Sequence, residues 1–88
     1  MLPDNHKRWG IVEEERFREE LAVLHPNPIR ADEFVDGVKN MLCKDPTPPE
    51  ATKIGGKVWF LPMRLGKAVV YYTFNDDYVY LLSIQVVE

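Results

Sequence analysis

One cysteine, Cys43, stands in 88 residues, so no internal disulfide can form and the fold must hold without covalent cross-links. That scarcity fits a reducing cytoplasm. The opening MLPDNHKRWG has no apolar run of the secretory kind, and no apolar run anywhere approaches the roughly 20 residues of a membrane-spanning helix. A soluble cytoplasmic protein with no membrane contact is expected. Histidine is equally scarce. His6 and His25 lie nineteen residues apart with no cysteine or histidine cluster near either, so no metal site is expected. Cys43 falls at a helix C-terminus, where the helix dipole opposes a thiolate, and is expected to be structural. No self-sufficient catalytic motif and no cofactor fingerprint occurs. The chain also lacks the broad basic face of a general nucleic-acid binder, with a net charge of −3.

What is present points to one globular domain, residues 1–88. Apolar residues make up 45% and there are ten aromatics, enough to build a modest core. Charge is unevenly spread. Residues 1–50 hold seven Lys/Arg against eleven Asp/Glu, a net of −4, whereas residues 51–88 hold four against three, a net of +1. Those four cations are Lys53, Lys57, Arg64 and Lys67, in a stretch with no acid between Glu50 and Asp76. One small basic patch on an acidic body is expected.

Helical periodicity occupies the first half. Val12, Phe17, Leu21 and Leu24 form an apolar stripe, so a first helix is expected over residues 11–24, ended by His25-Pro26-Asn27-Pro28. A short strand over residues 8–12 is the alternative there, because Trp9, Ile11 and Val12 are β-prone. A second helix is expected over residues 32–43, capped by Asp32. Gly37 within it implies close packing or a mobile element. The proline-rich Lys44–Pro49 segment links to a β-rich half. Lys57 to Arg64 reads as a strand, with Pro62 at an edge, a bulge or its end. From Lys67 to Glu88 no glycine or proline interrupts two Val/Tyr/Leu-rich runs around Asn75-Asp76-Asp77, a β-hairpin. The fold class is therefore α+β, with two N-terminal helices packed on a C-terminal three-stranded antiparallel sheet.

That order of elements resembles the RelE/ParE toxin superfamily of bacterial toxin–antitoxin systems. The resemblance is carried by MLCKDP at the end of the second helix, Lys53-Ile54-Gly55-Gly56 before the strands, Gly66-Lys67-Ala68-Val69-Val70-Tyr71-Tyr72, and the Asp-Asp turn into YVYLLSI. It covers about residues 32–87. It implies a small toxin neutralised by a cognate antitoxin segment, acting as a ribosome-dependent, metal-independent mRNA endonuclease or on DNA gyrase. Ala68 stands where the family phrase carries arginine, so a member without catalysis is the parallel expectation.

RNA cleavage without a metal requires deprotonation of the 2′-hydroxyl, stabilisation of phosphate charge and protonation of the leaving oxygen. Arg64 and Lys67 are the candidate phosphate or transition-state contacts and Tyr72 the candidate acid/base. Lys53 and Lys57 are the candidate RNA-steering cations. Their ordinary reading is as solvated lysines near turns, and a phosphate contact requires them to converge. Tyr71 and Tyr72 face opposite ways, with a cross-strand partner in Tyr78 or Tyr80 as the plainer role. Two short helices cover one sheet face, so an apolar face is left for a partner or for a homodimer. Trp59, Leu81 and Val87 are the candidate partner contacts, although core packing is the simpler role for Trp59. A non-enzymatic interaction module using this face is the alternative function.

Overall fold

The computed structural model describes residues 8–63 and 67–87. In chain order the elements are β1 (Gly10–Glu13), α1 (Glu15–Leu24), α2 (Pro28–Leu42), β2 (Thr52–Gly55), β3 (Val58–Met63), β4 (Ala68–Phe74) and β5 (Tyr78–Val86). The five strands form one sheet in the order β1-β5-β4-β3-β2. β1 runs parallel to β5, and the other pairings are antiparallel. The α+β class and the two helices are as expected, but the sheet has five strands instead of three.

The alternative strand near residues 8–12 is the one that forms. Gly10 lies opposite Tyr78, and a Cβ there would come within 2.8 Å of the Tyr78 ring. Absence of a side chain thus admits the close approach, and the Gly10 N–H donates to the Asp77 carbonyl at 2.9 Å. The first helix accordingly starts at Glu15. Phe17 and Leu21 on its buried stripe face the sheet.

The second helix begins four residues earlier than expected, and Asp32 is not its cap. Pro28 occupies the first helical position, where its missing N–H would have no intrahelical partner. Asn27 caps it, its Oδ1 accepting from the Ile29 N–H at 2.9 Å. Phe34, Val35, Val38 and Leu42 line the buried face. Gly37 is not a close-packing site. The nearest atom to a Cβ there is Met63 Cε at 3.7 Å, an ordinary contact. Gly37→Ala is therefore expected to stabilise the fold by about 0.5–1 kcal/mol, since alanine loses less backbone entropy in a helix. A rise in the thermal midpoint checks this.

A β-bulge decides which side chains of β5 reach the core. Tyr71 pairs with Ser83 and Tyr72 with Leu81, leaving Leu82 without an opposite residue. Val79 and Leu81 are buried before the bulge and Ile84 after it, so the core set changes parity within one strand. Leu81, which shares the parity of Val79 on the turn side of the bulge, is fully buried, correcting its expected place on a partner face.

β5 outruns β1 at the sheet margin. There the Glu20 carboxylate of α1 accepts from Ser83 Oγ at 2.7 Å and from the Ile84 N–H at 3.0 Å. Desolvation raises the Glu20 pKa, but those two bonds and nearby Arg16 outweigh it, holding the carboxyl below its ordinary value. A carboxyl depressed in the folded state contributes stability above the unfolded carboxylate range and loses it as pH falls through the folded value. Glu20→Gln is expected to lower stability at pH 7, with the gap from the parent protein closing as the pH is taken into the carboxylate range and below it. Urea midpoints measured across that series give the result; a gap independent of pH would exclude the charge as its source.

Candidate nucleic-acid interface

The β2–β3 end of the sheet brings together residues distant in sequence. Lys53 pairs with Trp59, and Trp59 pairs with Tyr72 two residues before Phe74. The turn between β2 and β3 requires glycine, since Gly56 has φ +53°. It is tied to β4 by Thr73, whose hydroxyl donates to the Lys57 carbonyl at 2.7 Å. The result is an open cavity of about 390 Å³ bordered by Lys53, Gly56, Lys57, Trp59, Phe74, Asn75 and Asp76. The Trp59 and Phe74 rings lie 6.1 Å apart at 48° and are half-buried.

Opposite the lysines, the β4–β5 turn is held by Asn75. Its Oδ1 accepts from the N–H groups of Asp77 and Tyr78, both at 2.8 Å. Its backbone N–H donates to the Tyr78 carbonyl, and its own carbonyl accepts from Trp9 Nε1, both at 2.9 Å. Among the described residues Lys53, Lys57 and Asp76 form no ion pair. Two cations and one carboxylate therefore border an aromatic floor with their charges uncommitted.

Of the expected cation cluster, Lys53 and Lys57 converge and Lys67 does not. Lys67 precedes the opposite end of β4, about 23 Å from Phe74 at ~3.3 Å per residue. Arg64 lies outside the described residues. Tyr72 does not fit its acid/base assignment. It has no exposed surface, and its hydroxyl donates to the Pro46 carbonyl at 2.6 Å. Burial, with the Asp45 charge as a smaller contribution, pushes its pKa far above the ordinary phenol value. Trp59 borders the basic cavity. Phe74 and Asp76 were not singled out from sequence, where the Asn-Asp-Asp run signals only a turn.

Two other surfaces suit a partner. A groove of about 310 Å³ between α1 and β5 is bordered by Glu19, Glu20, Val23, Leu24, Ile84 and Val86. Val23 and Val86 are 81% and 58% exposed, and Val87, 50% exposed, follows directly. On the other side of the sheet, Phe60 and Tyr71 pair across β3 and β4 with rings 6.4 Å apart, half-buried. No helix among the described residues is long and apolar enough to cross a membrane.

No protein-family model matches the chain, and no curated protein matches it in sequence. Solved structures do match in fold. The toxin–antitoxin complex RelBE2 from Mycobacterium tuberculosis superposes with a TM-score of 0.72 at 15% identity, covering 97% of this chain and 98% of its own. The YoeB dimer from Staphylococcus aureus gives 0.66 at 10% identity, covering 92% and 99%. The archaeal RelE–RelB complex from Pyrococcus horikoshii gives 0.65 at 20% identity, covering 90% and 94%. The chain carries the fold of the RelE-type toxins, and at these identities the likeness establishes fold alone.

Proposed function

We propose that this chain is the toxin of a toxin–antitoxin pair and acts on an RNA strand held at the Lys53–Lys57–Trp59–Phe74 cavity. The fold supports the first part, because the solved structures it matches over nearly the whole chain include a toxin–antitoxin complex and a RelE–RelB complex. The observation that carries the second is the pairing of two uncommitted lysines with two half-buried aromatic rings. Lysines track phosphates, and aromatic faces stack bases without requiring a duplex.

In the ribosome-dependent reading, mRNA enters this cavity in an extended form. Lys53 and Lys57 offset the charge that develops on the scissile phosphate. Lys67, at the far end of β4, would meet a more distant phosphate. Tyr72 has no part in proton transfer, so the acid and base of a cleaving complex would come from elsewhere in the assembly. The antitoxin would cover the aliphatic groove between α1 and β5, with Val87 at its rim.

The test is inducible expression in a bacterium, following growth and mRNA integrity, with a Lys53→Ala/Lys57→Ala control. Growth arrest with cut mRNA is expected, lost in the double variant. In vitro, the variant should bind a short oligoribonucleotide more weakly, with a log K against log salt slope shallower by roughly 0.7 per phosphate contact removed. Arrest with intact mRNA and stalled replication would favour a gyrase target. Normal growth at good soluble expression would leave a protein-interaction module or homodimer, using the Phe60–Tyr71 face, as the better reading.

A further inference from the structure

We infer that the cavity selects guanine, read by the Asp76 carboxylate, with the adjoining phosphate on Lys53 and Lys57. This inference rests on the RNA-binding reading and names the base that the site prefers. The Trp59 and Phe74 rings touch each other at 6.1 Å and 48°, so no base fits between them. A base must stack on their outer surface, with its hydrogen-bonding edge toward the cavity wall.

Among the described residues, that wall offers one charged side-chain acceptor that is free. Asn75 has spent its side-chain oxygen on two backbone N–H groups, and its amide nitrogen lies 3.4 Å from the Tyr80 hydroxyl. Its backbone N–H and carbonyl are also paired. Asp76, the next residue, borders the cavity with an exposed carboxylate that forms no hydrogen bond or ion pair among the described residues. The hydrogen bonds on either side of it hold the turn, which places this carboxylate without using it.

An ionised carboxylate only accepts hydrogen bonds, and it has two oxygens side by side. The matching base edge presents two adjacent N–H donors. Guanine does so with N1–H and the 2-amino group. Adenine and cytosine place an acceptor nitrogen beside their amino group, which would face the second carboxylate oxygen. Uracil sets a single N–H between two carbonyls. The acid also repels phosphate, which leaves Lys53 and Lys57 as the phosphate side of the cavity and orients the nucleotide. If Asp76 served only to neutralise the lysines, a closed ion pair would be expected, and none forms.

The test titrates the full chain with 5′-GMP, AMP, CMP, UMP and IMP, and with uridine oligoribonucleotides containing or lacking one guanosine, by calorimetry and by NMR of the Trp59 indole. GMP should bind about tenfold or more tighter than AMP, CMP or UMP, the scale of a bidentate contact. IMP keeps N1–H but lacks the 2-amino group, and should fall at least about fivefold below GMP. In Asp76→Asn the GMP advantage should disappear. Equal affinity for all bases, with oligonucleotides still bound, would overturn the guanine assignment and leave the RNA reading standing. A GMP preference that survives Asp76→Asn would overturn Asp76 as the reader. Failure of every oligonucleotide to bind would overturn both readings.

Discussion

Leu81→Ala is expected to destabilise the domain by about 2–5 kcal/mol, the range for truncating a fully buried leucine. Leu81 has no exposed surface and packs in the core with residues of both helices and the neighbouring strands. It is backed on β4 by Tyr72, its register partner. The removed methyl groups leave a cavity walled by residues that are themselves fully buried, so little collapse can compensate. A domain of this size is held by only roughly 4–13 kcal/mol, and the variant should therefore be partly unfolded at growth temperature. Val87→Ala is the contrasting case. Val87 is 50% exposed, and its truncation should change stability by less than about 0.5 kcal/mol. Chemical denaturation of the two variants separates core from surface. A Leu81→Ala protein of parental stability would return Leu81 to a partner face.

A two-residue period along β5 does not by itself tell the core face from the outer one. Sequence alternation divides residues 78–87 into two sets, and both are apolar enough to be buried. The bulge at Leu82 then sends members of each set to the core. Nothing local announces a bulge, because the residue opposite it belongs to another strand. The hairpin itself was legible, since β-branched and aromatic runs flank a polar turn with no competing helical period. Other boundaries failed for a similar reason. The first helix stops at Leu24, ahead of Pro26, while Pro28 starts the next, and the Asn27 side chain, bonded to Ile29, marks that second role. β2 escaped notice because all four of its residues are exposed and its register is irregular, leaving no apolar alternation to detect. In the candidate site, Lys53, Lys57 and Trp59 are neighbours in sequence and are legible there as separate features. Phe74 and Asp76 join them only because β3 and β4 pair, a relation that a single sequence does not display.

Tyr72→Phe is expected to cost about 1–3 kcal/mol, because it removes the donor and leaves the Pro46 carbonyl short of its hydrogen bond in a buried setting. Pro46 is also buried, so water does not readily replace the lost hydroxyl. The bond matters beyond its own strength, since it ties the proline-rich link after α2 to the middle of the sheet across 26 positions of sequence. Alkaline pH supplies a second signature. A group whose pKa is raised on folding contributes stability that is complete below its unfolded value and lost as pH rises above it. The unfolded phenol titrates near 10.0, and burial holds the folded one higher, so the parent protein should lose stability from about that pH upward. Tyr72→Phe should abolish this component while lowering stability at neutral pH. The two effects together mark a structural tyrosine. If the variant instead kept full stability and lost RNA cleavage with a shifted pH–rate profile, Tyr72 would have to reach the RNA, and the buried bond to Pro46 would have to open during turnover.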